Sequence, residues 1–159
     1  MIARLPSSRK DLFACYEAAE LNPASTLLFH SNAFRWIASL AIGGEKDPLE
    51  VIISSLLDYM RGSGTVLFPL FNFDFCSRGF FDYRSTPSKM GALTERSRSD
   101  PRFCRTLHPI YSFSVSGKYK EDFLELSNTG GYSKDSPFGL LHQMGGGKLQ
   151  FYIYLIKTP

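Results

Sequence analysis

TPSKMGALTERSRSDPRFCRTLHPIYSFSVSG, residues 86–117, combines a helix start, a charged helix and a strand in one stretch. Thr86 can cap a helix through its hydroxyl group, and Pro87 suits the first helical position, so the pair predicts a helix over residues 87–98. Over residues 110–116, Tyr, Phe and Val alternate with serine, which predicts a half-buried strand. A helix followed closely by a strand is the unit from which α/β sheets are built.

Three further segments have the composition of strands. They are apolar runs next to turn-forming residues, at 26–29, 64–71 and 148–156. Strands that alternate with helices predict an α/β fold with a mixed, largely parallel sheet flanked by helices. Four strands are few for such a sheet, and no crossover helix follows the last one. We therefore expect an architecture that is incomplete at its C-terminal end.

Capping residues mark the starts of the other helices. Ser8 precedes Asp11 by three positions, while Asp47 and Ser136 are each followed by proline. A shorter helix is predicted over residues 119–126. The 159 residues suit a single domain, and their 43% hydrophobic and 21% charged content excludes a disordered chain.

Composition also limits the compartment and the partners. Cys15, Cys76 and Cys104 are odd in number and far apart, which argues against a disulfide framework or a zinc site and favours a reducing compartment. The opening MIARLPSSRK is too polar for a signal peptide, and no apolar run approaches the ~20 residues of a membrane span. We therefore predict a cytoplasmic protein with no membrane partner and no metal cofactor.

The net charge of +3 permits an anionic ligand. Lysine and arginine are scattered rather than clustered in a stripe, so we predict no nucleic-acid partner. The helix start at Ser136 is the best candidate for binding an anion, because it follows a glycine-rich stretch and has Lys134 beside it. His30 follows the first strand, where ligands gather in α/β sheets. Ordinary capping for Ser136, and a backbone hydrogen bond for His30, remain the alternatives.

Asp74 and Glu95 are candidates for binding a cationic substrate. They lie near an aromatic-rich loop, and such rings could pack on an amino sugar. The alternative is that both are solvated surface charges. His108 has no acidic neighbour in sequence, which favours a structural role.

Five segments resemble the aminoglycoside 3-N-acetyltransferase family, and they occur in the family's order. Each is a weak signal by itself, but together they cover about residues 26–146. They are LFHS at 28–31, GTVLFP at 64–69, TPSKMGALTE at 86–95, RTLHPIYSFSVSG at 105–117 and DSPFGL at 135–140.

The resemblance implies transfer of an acetyl group from acetyl-CoA to an amine of an aminoglycoside or amino sugar. It also implies a CoA site between the exit of the first strand, the strand near residue 113 and the helix at Ser136, whose start would hold the CoA pyrophosphate. The implied CoA-binding residues are His30, Ser31, Asn32, Ser112, Phe113, Ser114, Ser136, Phe138 and Gly139. Asp74 and Glu95 are then expected to bind the acceptor.

The chain departs from the family pattern at two small positions and one large one. Asn32 and Thr106 stand where the family has serine. The family's Thr-x-x-His-x-x-Glu-like segment, whose histidine we expect to act as general base, has no counterpart in these 159 residues. The catalytic residues are therefore not identified, and we expect impaired activity.

The final segment does not resemble the family. Three glycines at 145–147 can be encoded by a run of G nucleotides, and residues 147–159 are expected to be a frameshifted, non-native tail of a truncated enzyme. A non-catalytic domain that binds CoA or another anion is the first alternative, and a small nucleic-acid-binding domain is the less favoured second. The sequence specifies neither the acceptor nor the oligomeric state.

Overall fold

The computed structural model describes residues 5–30 and 32–144. Within these ranges lie seven helices and four strands. In chain order they are α1 Arg9–Ala18, β1 Thr26–Leu28, α2 Phe34–Ile42, α3 Pro48–Met60, β2 Thr65–Pro69, α4 Phe75–Arg78, α5 Ala92–Ser99, β3 Cys104–Arg105, β4 Phe113–Gly117, α6 Lys120–Leu124 and α7 Pro137–Gln143.

The four strands form one sheet in the order β1-β2-β4-β3. β1 pairs in parallel with β2, whereas β4 runs antiparallel to both β2 and β3. This confirms an α/β fold with a mixed sheet flanked by helices. Parallel pairing is less frequent than predicted, one pair of three among the described strands. The alternation of strands and helices does not specify the direction in which β4 returns beside β2.

Helices cover both faces of this sheet. On one face, α1, α2, α3 and α5 pack against side chains such as Leu27 and Phe68. On the other face, α6 and α7 pack against Leu67 and Phe113. All five residues of β2 are buried as a result, as expected for a strand covered on both sides.

Three helix starts predicted from capping residues are confirmed. The side chain of Ser8 accepts a hydrogen bond from the backbone N–H of Asp11. The carboxylate of Asp47 accepts from Glu50 N–H ahead of α3. Ser136 Oγ accepts from Gly139 N–H at the start of α7, at 3.1 Å. Each cap satisfies one of the N–H groups that a helix leaves unpaired in its first turn.

The predicted helix start at Thr86 is wrong, because α5 begins at Ala92. The Thr86 hydroxyl accepts from Asp82 N–H instead of capping a helix. The Thr86 carbonyl accepts from Arg105 Nη1 at 2.6 Å, and Glu95 binds the N–H of Ser88. These contacts hold residues 86–88 outside the helix, and the one from Arg105 comes from nineteen positions away in sequence.

Two helices had no sequence signal. α2 and α4 begin at Phe34 and Phe75, and the side chains of the preceding residues, Ala33 and Asp74, make no capping hydrogen bond within the described structure. These two starts therefore lack the capping pattern that predicts the starts of α1, α3 and α7.

The strand predicted at 148–156 and the non-native tail predicted from residue 147 lie outside the described residues. Among the helices that are described, none has the length and apolar character needed to cross a membrane.

Phe68 provides a test of the core. It is fully buried, and its ring contacts the edges of Phe29 and Phe103 at centroid distances of 5.5 Å each. Phe68→Ala should lower the free energy of unfolding by about 3–5 kcal/mol because it leaves a cavity. Phe80→Ala, at a ring that is 70% exposed, is the control and should change it by less than about 0.5 kcal/mol. Urea unfolding of both variants measures the difference, and equal midpoints would contradict this description of the core.

Candidate functional site

A cavity of about 370 Å³ lies at the exit of β1, between the starts of α2 and α5. Its position matches the end of a sheet where α/β proteins bind ligands. The lining residues used below are His30, Asn32, Phe34, Gly91, Ala92 and Thr94. Two of the predicted CoA-binding residues, His30 and Asn32, therefore lie together at one cavity.

The start of α5 contributes the opposite wall of this cavity. Gly91 precedes the helix with φ of 120°, a conformation that favours glycine, and no side chain caps the first turn. Uncapped N–H groups and the helix dipole favour negative charge at such a start, and the one acidic residue of the first turn, Glu95, is paired with Arg98. The start of α5 at Ala92 was not predicted from the sequence, because Thr86 and Pro87 gave the stronger signal for a helix start. Asn32 is engaged locally, since its side-chain oxygen accepts from Phe34 N–H at 3.3 Å.

A second cavity, of about 450 Å³, lies beside α7. It is lined by Tyr132, Lys134, Phe138, Gly139, His142 and Gln143. The first turn of α7 lies close to Phe71, the second residue after β2. The centroids of the Phe138 and Phe71 rings are 6.2 Å apart. Both cavities are thus at the end of the sheet where β1 and β2 finish, but on opposite faces. The predicted residues Phe138 and Gly139 line the second cavity.

Ser136 is completely buried and has internal partners. Its hydroxyl group donates to the carbonyl of Ser133 at 2.7 Å and accepts from Gly139 N–H. Pro137 has no N–H, so the first turn of α7 retains only the N–H of Phe138 without a partner among the described residues. The side chain of Ser136 therefore shapes the helix start, and few N–H groups there remain for an anion.

Gly139 is required by a close approach of the backbone. A Cβ atom at this position would lie 2.2 Å from the carbonyl oxygen of Ser133 and 2.7 Å from that of Lys134. Only glycine allows the loop to pass this close to α7.

Ser112, Phe113 and Ser114 lie inside the protein and line neither cavity. Ser112 Oγ accepts from Arg105 Nε at 3.0 Å, and the hydroxyl groups of Ser114 and Ser97 are 2.6 Å apart. Phe113 is fully buried on the face of the sheet that α6 and α7 cover. Sequence alternation suggested that the serines were accessible, but helices cover both faces of β4. Ser31 lies outside the described residues.

Asp74 and Glu95 are both paired with basic side chains. Lys89 Nζ lies 2.5 Å from Asp74, and this contact holds the pKa of Asp74 below its usual value. Burial alone would raise the pKa of Glu95, but hydrogen bonds from Arg98 and from Ser88 N–H outweigh it, so the pKa is lowered. Glu95 contacts Ser88 and Asp74 contacts Lys89, so both carboxylates lie at the same segment of the chain. The negative charge of each is already compensated by a basic side chain.

Among the described residues, no group of histidine, cysteine, aspartate or glutamate could hold a metal ion. His108 has a structural role, as expected. Its Nδ1 accepts hydrogen bonds from the backbone N–H groups of Ile110 and Tyr111, at 3.1 and 2.9 Å. These bonds stabilise the turn that precedes β4.

A family model described as aminoglycoside 3-N-acetyltransferase matches residues 32–151. No curated protein sequence matches the chain.

Several solved structures share the fold. YokD from Bacillus subtilis has a TM-score of 0.70 at 23% identity, over 86% of this chain and 61% of its own. The apoenzyme of aminoglycoside acetyltransferase AAC(3)-IVa has a TM-score of 0.70 at 21% identity, over 90% and 53%. AAC-IIIb, in a binary complex with CoASH, has a TM-score of 0.69 at 23% identity, over 86% and 56%. The chain therefore spans between half and two thirds of the length of these structures.

The hydrogen bonds at His108 predict a dependence of stability on pH. Burial lowers the pKa of His108 below its ordinary 6.5, because the protonated ring would be poorly solvated. The unfolded chain therefore takes up a proton first, and stability should fall as pH decreases through about 6.5 towards the lower pKa of the folded state. Urea midpoints between about pH 7.5 and pH 5.5 measure this slope.

Two variants separate titration from hydrogen bonding at this position. His108→Asn keeps an acceptor for the two N–H groups and should show a shallower slope than the unmodified chain. His108→Ala should have the same shallow slope but a lower midpoint at every pH. A slope that is unchanged in both variants would mean that another group is responsible.

Proposed function

The chain belongs to the aminoglycoside 3-N-acetyltransferase family, and on this basis we propose that it binds acetyl-CoA as co-substrate for acetyl transfer to an amine of an aminoglycoside or amino sugar. The main support is the family match over residues 32–151, which includes all residues of both cavities except His30. A cytoplasmic location and a single domain over residues 1–159 form part of the same proposal.

The proposed reaction joins the acceptor nitrogen to the acetyl carbon. The amine attacks the thioester carbonyl, a C–N bond forms, the C–S bond breaks, and CoA leaves as its thiol while the amine loses a proton. Negative charge develops on the thioester oxygen during the attack. The start of α5 would stabilise that charge if the thioester lies in the cavity beside His30.

The CoA-binding residues divide into two groups by their environment. His30, Asn32, Phe138 and Gly139 line cavities, so they are proposed to contact CoA directly. Ser112, Phe113, Ser114 and Ser136 are buried, so their proposed role is to hold β4 and the start of α7 in place. Ser31 follows His30 in sequence and is proposed with the first group because of the family resemblance.

The acceptor is proposed to be a cationic amino sugar. AAC-VIa has been solved with sisomicin bound, with a TM-score of 0.68 at 18% identity. Asp74 and Glu95 remain the proposed acceptor contacts. Their pairing with Lys89 and Arg98 means that an acceptor ammonium group would have to exchange for, or share, those partners.

A non-catalytic CoA-binding protein is the second candidate. None of the three histidines in these 159 residues occurs in a Thr-x-x-His-x-x-Glu-like pattern, so these residues by themselves are compatible with CoA binding without turnover. General base catalysis contributes about 10²- to 10⁴-fold in enzymes. The two candidates share the CoA site and differ in turnover.

Titration calorimetry with CoA tests the shared site. The purified 159-residue chain should bind CoA, and His30→Ala should weaken the affinity about tenfold by removing a wall of the first cavity. Phe80 lines neither cavity, so Phe80→Ala should bind as the unmodified chain does. A folded chain that releases no heat with CoA or acetyl-CoA, and gains no stability from either, would rule out the proposal.

Release of the CoA thiol in the presence of an aminoglycoside tests turnover. The 159 residues alone should acetylate an aminoglycoside about 10²- to 10⁴-fold more slowly than a chain that also contains the family's histidine segment. Acetylated product is measured by mass spectrometry. Equal rates would show that a residue within these 159 acts as the base, and no product from either chain would favour the non-catalytic candidate.

A further inference from the structure

We propose that the outer side of the Tyr132 ring, together with Lys134, binds the adenine nucleotide end of CoA. This inference rests on the proposed function and specifies which part of CoA occupies the cavity beside α7. It adds Tyr132, which neither the family resemblance nor the helix start at Ser136 identifies, and it assigns a specific ligand group to Lys134 beside that helix start.

The Tyr132 ring is fixed on its inner side and open on its outer side. It stacks on Phe138 with a centroid distance of 5.1 Å and an angle of 25° between the rings. Phe138 is supported in turn by Phe113, at 5.2 Å, which is fully buried. Tyr111 contacts Tyr132 from another direction at 5.4 Å. Tyr132 nevertheless remains 71% exposed, so a flat surface of fixed orientation faces solvent.

The loop that holds Tyr132 is braced by a single carboxylate. Asp135 accepts hydrogen bonds from the hydroxyl groups of Ser127, Thr129 and Ser133 and from the N–H of Thr129. These bonds hold the pKa of Asp135 well below its usual range. The carboxylate is thus occupied within the loop, and the loop keeps its shape without a ligand.

The charged side chains that line the cavity beside α7 favour one class of ligand. Lys134 and His142 line the cavity, and no aspartate or glutamate of the described chain lines it. A polycationic aminoglycoside is therefore disfavoured here, whereas a phosphate group is favoured. A planar base that stacks on an aromatic ring, joined to phosphates that approach a lysine, is the combination found in a nucleotide. The volume of about 450 Å³ is within the range of small-molecule sites.

Fragments of CoA and variants of Tyr132 test the inference by titration calorimetry. Tyr132→Ala should weaken CoA binding roughly ten- to hundredfold, the usual effect of losing a base-stacking ring. Tyr132→Phe keeps the ring and should bind CoA within about threefold of the unmodified chain. Pantetheine lacks the nucleotide, so its affinity should be the same for all three chains.

The proposed contact between Lys134 and the phosphates of CoA is tested by substituting Lys134. Lys134→Ala should reduce the affinity for CoA up to about fivefold and make it less dependent on salt, since one exposed ion contact is lost. Lys134→Arg retains the positive charge and should restore both. Both positions are exposed, and urea midpoints within experimental error of the unmodified chain will confirm that each variant is folded.

The outcomes distinguish this inference from the proposed function. If CoA binds equally to the unmodified chain and to Tyr132→Ala, or if pantetheine loses as much affinity as CoA, the nucleotide lies elsewhere and only this inference fails. If an aminoglycoside competes for the Tyr132 surface, the cavity holds the acceptor and the inference is overturned. If ADP binds in a Tyr132-dependent manner but no amine is ever acetylated, the inference stands and the proposed reaction fails. If neither CoA nor ADP binds, both fail.

Discussion

The buried guanidinium group of Arg105 ties the loop before α5 to the sheet. Arg105 is 6% exposed and donates from Nη1 to the carbonyls of Tyr83 and Thr86 and from Nε to Ser112. Burial lowers the pKa of Arg105 to about 10, so the group stays charged at neutral pH. A buried cation must keep polar partners around it, and these carbonyls cannot move away without a large cost in free energy. The loop is thereby fixed, and the helix that follows must begin later, where its first turn lines the cavity beside His30.

The hydrogen bond from Arg105 to the Thr86 carbonyl is a feature that local sequence patterns do not predict. Ser8, Asp47 and Ser136 cap their helices through residues three positions away, so the nearby sequence was sufficient to locate these starts. Thr86 has an equally good local pattern, but its carbonyl is taken by Arg105, nineteen positions later. Strand direction has a similar limit, since the pairing of β4 between β2 and β3 depends on contacts that no local pattern reports. Composition and alternation were nevertheless sufficient to predict three of the four strands and the α/β class.

Some of the residues that line the two cavities could be identified from sequence, and others could not. His30 and Gly139 were identified from their motifs, and both line cavities. Ser112 and Ser114 come from an equally clear motif, yet their hydroxyl groups are used inside the protein, one by Arg105 and one by Ser97. Alternating serines look like the solvated side of a strand, and only the packing of helices on both faces of β4 shows otherwise. Tyr132 had no signal at all, because an exposed aromatic residue in a loop becomes informative only when its neighbours are known.

The hydrogen bonds that Asp135 accepts within its loop affect how a ligand associates with this surface. A loop that is ordered before a ligand arrives loses little conformational entropy when the ligand binds, and its surface meets the ligand almost as a rigid body. Association should then be limited by diffusion and orientation rather than by folding of the loop. Related ligands that use this surface would differ mainly in how long they remain bound. A single carboxylate whose hydrogen bonds lie within the loop can in this way influence the residence time of the complex.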